Sequence, residues 1–222
     1  MIAGNVSYTS LDDLPKEVAI FPLSEALLLP AGNMPLNIFE PRYLAMIDHV
    51  LAGDRLIGMI QPRFDADQDD DRPQLCDVGC LGRLTAFQES GDGRLMINLA
   101  GICRFRLVEE VAGKNGFRRA RVACFKDDLE DMTEAEQAVD RNALLETFRQ
   151  FLDVHQLEAD WDGIREAGTG LLVNSLSMMS NYGAAEKQAL LEAPDLKTRA
   201  ETLIAITEIA LAKEVGDSAT LQ

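Results

Sequence analysis

The spacing of hydrophobic and polar residues changes once along the chain. Up to about residue 126, apolar residues alternate with polar ones at a period of 2, as in Leu95, Ile97 and Leu99. From about residue 141, apolar residues such as Leu144 and Phe148 recur at a period of about 3.6. The first period is typical of half-buried strands and the second of amphipathic helices. The pattern therefore predicts an α+β chain, with a β-rich N-terminal domain followed by a C-terminal α-helical bundle.

Prolines and glycines divide the N-terminal part into short segments. A proline fixes φ and lacks an N–H, so each one marks a strand edge, a turn or a helix start. Pro41 suits the first turn of a helix that Gly53 would end. Short strands with glycine turns around one helix predict a closed or nearly closed small barrel. The predicted helix spans 41–52, and the predicted strands span 18–23, 27–29, 34–38, 55–61, 77–89, 94–100, 102–111 and 117–125.

An acidic stretch marks the boundary between the two parts. Residues 126–140 carry seven acidic side chains and contain Thr133-x-x-Glu136, a capping box that would begin a helix. A short helix over 185–192 and a longer one opened by Asp195 complete the predicted bundle. We expect a leader at 1–15, the barrel domain at 16–126, an acidic connection and helix start at 127–140, the bundle at 141–214 and a tail at 215–222.

The net negative charge of the chain disfavours two classes of binding partner. There are 37 Asp and Glu residues against 21 Lys and Arg residues, giving a formal net charge of −16. Such a surface repels nucleic-acid phosphates and anionic lipids, so both are disfavoured as general partners. No apolar run is long enough for a transmembrane helix, and the first residues do not resemble a secretory signal. We therefore expect a cytoplasmic protein whose four cysteines, Cys76, Cys80, Cys103 and Cys124, are free thiols.

Motifs for catalysis or metal binding are incomplete. The aspartate-rich stretch at 64–73 begins like a calcium loop, but Asp70 and Cys76 stand where an EF-hand needs Gly and Glu. Cys76-x3-Cys80 lacks a second ligand pair for zinc. The sequence has no phosphate-binding G-x-x-x-x-G-K-[ST] loop and no G-x-S-x-G elbow, and its two histidines lie on separate predicted helices. We expect no cofactor, no metal site and no catalytic residue.

Several sequence blocks resemble the N-terminal, substrate-binding domain of Lon proteases. The resemblance covers roughly residues 16–213 and implies a PUA-like pseudo-barrel, a helical half and recognition of protein substrates. It also implies a stand-alone form, because the ATPase and Ser-Lys peptidase modules of that protease do not fit in this chain. The matching blocks are Phe21-Pro22-Leu23, Leu29-Pro30-x-Gly32, Pro35-Leu36, Ile38-Phe39-Glu40-Pro41-Arg42-Tyr43, Gly79-x-x-Gly82, Leu99-Ala100-Gly101-x-x-Arg104-Phe105, Glu186-Lys187-Gln188-Ala189-Leu190-Leu191-Glu192 and Lys197-x-Arg199.

Two groups of residues are candidates for a protein-binding site. Apolar side chains in the third and fourth predicted strands would offer an adaptable surface, or would fill the core instead. Glu40 and Arg42 flank the helix start, where they would complement the helix and lock it to the barrel, or would anchor a bound peptide. The candidate protein-binding residues are Met34, Leu36, Ile38, Phe39, Glu40, Arg42 and Met59.

Arginines on neighbouring predicted strands form a local basic concentration in an acidic chain. They would be a solvated face paired with nearby acids, or a docking surface for an acidic partner or RNA, since PUA-like barrels also occur in RNA-binding proteins. The residues of this candidate basic patch are Arg104, Arg106, Arg119 and Arg121, with Arg118 beside them.

The sequence thus favours a non-catalytic module that binds unfolded or degron-bearing polypeptides. The contact would use an apolar groove between barrel and bundle, or an open strand edge that accepts a peptide strand. The alternatives are an adaptor or regulator that docks to a Lon-type or other ATP-dependent protease and, with less support, an RNA-binding PUA-like module. The identity of the bound polypeptide and the oligomeric state stay open.

Overall fold

The computed structural model describes residues 1–64, 72–130 and 133–220, and from residue 214 onward only the backbone. The five aspartates of the predicted acidic loop, at 65, 67 and 69–71, lie outside the described residues. The chain forms two compact units. The barrel unit comprises Met1–Asp131 with Asn181–Leu191, and the helical unit comprises Met132–Ser180 with Glu192–Gln222.

Eight strands are present among the described residues, and six of them form one sheet. The first two make a separate short antiparallel hairpin. Within the large sheet β3 and β5 are parallel, and the other pairs are antiparallel. The strands are β1 (Ile2–Ala3), β2 (Val6–Ser7), β3 (Glu17–Pro22), β4 (Asn33–Ile38), β5 (Leu56–Pro62), β6 (Leu75–Glu89), β7 (Leu95–Lys114) and β8 (Phe117–Cys124).

The sheet closes on itself. Its order is β4-β7-β6-β5-β3-β8, and β8 pairs back to β7, so five strands form a ring with β4 added to β7 outside it. The interior is filled by apolar side chains including Ile20, Leu81, Ile102 and Phe105, all fully buried. Closure removes strand edges from the ring. The α+β class, with a β-rich part followed by a helical part, is confirmed.

The structure differs from two strand predictions, and both differences involve Gly101. Residues 94–111 were expected as two strands split at Gly101, but β7 is continuous there. Residues 27–29, expected as a strand, are a buried loop that lies against Gly101. A Cβ at Gly101 would stand 2.1 Å from the Leu29 carbonyl oxygen, and the Gly101 N–H and C=O bond to Gly32 and Ala31. The glycine thus permits close approach of this loop and does not end the strand.

The N-terminal residues differ from the expected loose leader. Tyr8 and Leu14 are buried and belong to the barrel core, together with Ala3. The Tyr8 hydroxyl accepts a hydrogen bond from the Arg83 guanidinium at 3.0 Å. Because these apolar side chains need burial, residues 1–15 pack onto the barrel unit.

Seven α-helices are described. Six of them lie after residue 131, and residues 161–179 form two helices separated at Ala167 and Gly168. In the helical unit the last helix packs against the second, third and fifth. The helices are α1 (Pro41–Leu51), α2 (Thr133–Gln137), α3 (Arg141–His155), α4 (Trp161–Glu166), α5 (Thr169–Met179), α6 (Ala184–Glu192) and α7 (Leu196–Thr220).

Helix α6 belongs to the barrel unit, although its sequence was assigned to the C-terminal bundle. Buried amides explain the difference. The Gln61 side chain donates to the Ala184 carbonyl at 3.1 Å and to Gln188 Oε1 at 3.0 Å, and Gln188 Nε2 donates to the Val78 carbonyl at 3.1 Å. Buried amides need such partners. The helix is therefore tied to β5 and β6 by groups that hydrophobic spacing does not reveal.

Arg104 is the central buried charge of the barrel unit. Its side chain is 4% exposed, and it forms an ion pair with Asp128, from Nη2 to Oδ1 at 2.8 Å and from Nε to Oδ2 at 2.8 Å. Its Nη1 donates to the Leu191 carbonyl at 3.3 Å. Asp128 lies in the 3-10 turn Lys126–Leu129 and Leu191 lies in α6. One guanidinium thus joins β7 to the two segments that precede the crossings into the helical unit.

We expect Arg104→Met to lower the free energy of unfolding by about 3–5 kcal/mol, because the substitution leaves the buried Asp128 carboxylate unpaired. Urea unfolding measures the change. Arg121→Met is the matched control, since Arg121 is 48% exposed in its pair with Glu17 and its loss should cost about 0–1 kcal/mol. Equal losses in the two variants would contradict the central role given to Arg104.

Candidate functional site

A pocket of about 510 Å³ opens in the barrel unit where β3 and β8 separate. The two strands pair from Glu17 with Arg121 as far as Ile20 with Arg118, and beyond that point the pairing stops although both strands continue. We call this opening the seam pocket. Its lining residues are Phe21, Pro22, Leu23, Ser24, Leu36, Asn37, Ile38, Phe39, Glu40, Arg42, Tyr43, Pro62, Pro73, Gly116, Phe117 and Arg118.

Aromatic rings form the inner wall of the seam pocket. The Phe21 and Tyr43 rings lie with their centres 4.1 Å apart, and Phe117 is buried nearby in the same lining. Tyr43 is in the first turn of α1, which Pro41 begins after the N-cap residue Glu40. Burial raises the pKa of the Tyr43 hydroxyl above its ordinary value of 10.0, and the neighbouring Arg42 charge opposes that rise. The wall is thus neutral and apolar at physiological pH.

Charged side chains lie at the rim. The Arg42 guanidinium stacks 4.7 Å from the centre of the Tyr43 ring and pairs with Glu40 at 2.8 Å. Both partners are about two-fifths exposed, so the pair contributes little to stability. Arg118 pairs with Glu110 and donates to the Pro73 carbonyl at 2.9 Å. The arrangement gives an apolar depression with a polar, charge-paired rim.

Five of the seven predicted protein-binding residues line this pocket, namely Leu36, Ile38, Phe39, Glu40 and Arg42. Phe39 is the most accessible of the apolar ones, with 60% of the residue's surface exposed, and the Arg94 guanidinium lies 5.9 Å from its ring centre.

Three predicted positions do not offer adaptable surface. Ile38 and Met59 are almost completely buried, and Met59 pairs within the sheet with Phe21 and Cys80. Strand β5 is paired on both sides within the closed ring, so its apolar side chains pack against neighbouring layers, which explains the burial of Met59. Met34 is half-buried on β4 and does not line the pocket.

An open strand edge that accepts a peptide strand is the second mode of contact expected from the sequence, and β4 has such an edge. Among the described residues β4 pairs only with β7. Pro35 stands in the middle of this strand and has no N–H to donate. A proline in an edge strand turns its missing donor to the open side and interrupts a new ladder. The β4 edge is therefore poorly suited to adding a strand.

The predicted basic patch is largely neutralised. Arg104 is buried with Asp128 and so is absent from the surface, because a buried charge needs an opposite partner. Arg119 and Arg121 both pair with Glu17, and Arg121 also pairs with Glu109.

Arg106 is exposed, with its guanidinium 6.0 Å from the centre of the Phe125 ring. The ion pairs of Arg119 and Arg121 agree with a solvated face paired with acids, the first of the two interpretations offered for the patch.

Sequence reasoning missed the part of the lining contributed by the β7–β8 hairpin. Asn115 and Gly116 have φ of 48° and 88°, which is the conformation of a tight hairpin turn. A Cβ on Gly116 would lie 3.2 Å from the Arg42 Cβ, so the hairpin tip contacts the start of α1. The Asn-Gly pair signals the turn, but nothing local in the sequence shows which helix the turn approaches.

Within the described ranges, no group of three or more His, Cys, Asp or Glu side chains is placed to hold a metal ion. The helices described for this chain also lack the combination of length and apolar character required to span a bilayer.

We expect the free energy of unfolding of the wild type to fall, relative to that of Tyr43→Phe, as the pH rises above about 10. The hydroxyl of an unfolded chain ionises near its ordinary pKa, whereas the buried one stays protonated to higher pH. The unfolded state therefore loses its proton first, and the stability present below that pH is lost above it. Urea unfolding of both proteins from neutral to alkaline pH checks this, and parallel curves would contradict it.

Comparison with known proteins identifies the family to which the chain belongs. The family profile described as "ATP-dependent protease La (LON) substrate-binding domain" matches residues 17–208. Lon protease 2 of Myxococcus xanthus is 28% identical over 87% of this chain, and Lon protease of Desulfosudis oleivorans is 28% identical over 85%. This chain spans about a quarter of the length of these curated relatives, 24% and 23%.

Two solved structures share the fold. The N-terminal domain of a Mycobacterium avium complex Lon protease has a TM-score of 0.65 at 18% identity, with 87% of this chain and 98% of that chain covered. A Lon N-terminal domain protein from Xanthomonas campestris has a TM-score of 0.59 at 22% identity, with 85% and 97% covered. By the match over residues 17–208, this chain belongs to the LON substrate-binding domain family.

Proposed function

We propose that this chain is a non-catalytic binding module that recognises unfolded or degron-bearing polypeptides at the seam pocket. The family to which it belongs is described as a substrate-binding domain, which supports recognition of a polypeptide. The seam pocket supports the location, because it combines buried aromatic rings with the exposed Phe39 and a rim of paired charges. Ligand sites in proteins are commonly apolar depressions with a few polar groups that orient the ligand.

The proposed contact uses burial of apolar side chains. In an unfolded polypeptide such side chains are exposed, whereas in a folded one they are enclosed. Inserting one large apolar side chain against Phe39, Leu36 and the Phe21 ring would contribute about 1.5–3 kcal/mol. One such anchor gives weak binding, because association also loses translational and rotational entropy. The module would therefore favour long unfolded segments that present several anchors in succession.

Insertion of side chains is favoured over addition of a strand. Pro35 interrupts the donors along the open side of β4, so a peptide strand there would lose a hydrogen bond at its centre. The seam pocket has no such requirement for a continuous ladder. Arg42 and Glu40 would then act at the rim, where their exposed pair can exchange partners with charged or polar groups of the peptide.

A second candidate is an adaptor for a protease. The curated relatives are Lon proteases that are about four times longer than the matched region. An adaptor would bind a folded protease of that type and would show no preference for unfolded over folded model proteins. That preference separates the two candidates in a single experiment.

We expect a reduced, carboxymethylated model protein to bind the chain while its native form does not. Phe39→Ala should weaken this binding by about tenfold, as loss of about 1.4 kcal/mol implies. Fluorescence anisotropy of the labelled model protein measures both affinities. Phe39 is exposed, so its truncation should leave the fold intact.

The matched control is Phe87→Ala. Phe87 is 50% exposed in the barrel unit and does not line the seam pocket, so its truncation should leave the affinity unchanged. Equal affinity for folded and unfolded forms would remove the proposed function. Equal weakening by both variants would remove the assignment to the seam pocket.

A further inference from the structure

Acidic charge is concentrated in the helical unit. Its two segments contain 15 acidic and 6 basic residues, a net charge of −9, whereas the larger barrel unit has 22 acidic and 15 basic residues. A cationic partner is therefore attracted to the helical unit over distances comparable with the Debye length. Attraction alone does not define a site, so a local feature must supply shape and contacts.

Such a feature is a groove of about 350 Å³ between the end of α3 and the start of α4. Helix α3 ends at His155, and the C-cap residue Gln156 turns the chain with a left-handed φ of 54°. The Leu157 N–H then donates to the Leu152 carbonyl at 2.9 Å. The Asp160 side chain accepts from the Gly163 N–H at 3.1 Å and begins α4. We call this the Trp161 groove, and its main lining residues are Arg149, Leu152, Asp153, Leu157, Glu158 and Trp161.

The groove already holds one cation against its aromatic ring. The Arg149 guanidinium lies 4.9 Å from the centre of the Trp161 ring, a distance at which cation–π attraction is effective. Arg149 also lies 3.7 Å from the Glu146 carboxylate. The other nearby cation, Arg165, is engaged by Asp162 and by the Trp161 carbonyl. Both basic side chains near the groove are thus occupied within their own helices and with Trp161.

Two acidic side chains of the groove are not neutralised in this way. Asp153 and Glu158 are exposed at the groove, and no side chain among those described forms an ion pair with either carboxylate. Leu157 beside them is 55% exposed, and Leu152 and Trp161 close the apolar side. A cavity with an apolar wall and two uncompensated carboxylates is complementary to a side chain with an apolar stem and a positive head.

We infer that the Trp161 groove binds a lysine- or arginine-bearing segment of a polypeptide partner. The aliphatic stem of the bound residue would lie against Leu157 and Trp161, and its charged head would lie between Asp153 and Glu158, as long basic side chains do at half-apolar surfaces. A metal ion fits this chemistry less well, since the groove wall is apolar and no cluster of three ligating side chains is present among the described residues. The inference concerns the helical unit and does not rest on the seam pocket.

The chain carries a built-in reporter, because Trp161 is its only tryptophan. The probe is a short capped peptide of alternating lysine and leucine, titrated into the full chain while tryptophan emission is recorded. We expect a saturable change in emission that weakens as salt is added. The same peptide with every lysine acetylated keeps its length and leucines but loses its charge, and it should produce no saturable change.

The deciding variant is Asp153→Asn combined with Glu158→Gln, which removes two charges at nearly constant volume. We expect its affinity for the lysine peptide to fall by about tenfold, as two exposed charge contacts imply. The control variant is Glu201→Gln combined with Glu208→Gln, which removes two exposed charges from α7 of the same unit. Its affinity should stay close to that of the wild type. Circular dichroism verifies that both variants remain folded.

Three results would overturn the inference. Equal weakening by the two double variants would show diffuse attraction without a site. Absence of any saturable emission change would show that the groove takes no cationic segment. Binding of Mg²⁺ or Ca²⁺ alone at micromolar concentration, lost in the Asp153 and Glu158 double variant, would reassign the groove to a metal ion. Each of these leaves the binding of unfolded polypeptide at the seam pocket unaffected, so the two proposals fail separately.

Discussion

The buried ion pair between Arg104 and Asp128 is the constraint on which the barrel unit depends. A charge enclosed among apolar side chains is tolerable only when an opposite charge and further hydrogen bonds surround it. Here the guanidinium meets both carboxylate oxygens and also the Leu191 carbonyl. Two segments far apart in sequence, the turn that holds Asp128 and helix α6, are thereby fixed to one point on β7. Asp128 shortly precedes the first crossing into the helical unit and Leu191 is the last residue before the second, so the contacts of the guanidinium fix the barrel-side end of both connections.

Incomplete closure of the same ring creates the seam pocket. The pairing of β3 with β8 ends at Ile20 and Arg118, and the rings of Phe21, Tyr43 and Phe117 cover the core at that opening. Helix α1 supplies Tyr43 from its first turn, so the Glu40-Pro41-Arg42 sequence both starts the helix and sets the rim. The pocket is therefore formed by the packed strands and by the start of α1. Its lining residues are already together in the folded chain.

Hydrophobic periodicity was sufficient for the class of fold and for most strands, because periods of 2 and 3.6 are local properties of the chain. It was insufficient where distant segments meet. The buried loop at 27–29 and the unbroken β7 both follow from a contact with Gly101 that local spacing does not encode. Local spacing likewise does not show that Arg104, one of the predicted basic-patch residues, is buried against Asp128, 24 positions away. Five predicted binding residues do meet at the seam pocket, but only the fold distinguishes the exposed Phe39 from the buried Ile38.

Amide hydrogen exchange, with and without an excess of unfolded polypeptide, tests the central claim that the seam pocket is the surface that binds it. The account predicts slower exchange on binding at residues 36–39 and 116–118, two distant stretches of the chain that both line the pocket. Exchange in the middle of β6, which does not line the pocket, should be unchanged. Protection confined to other surfaces of the barrel unit, with residues 36–39 and 116–118 unaffected at saturation, would contradict the account.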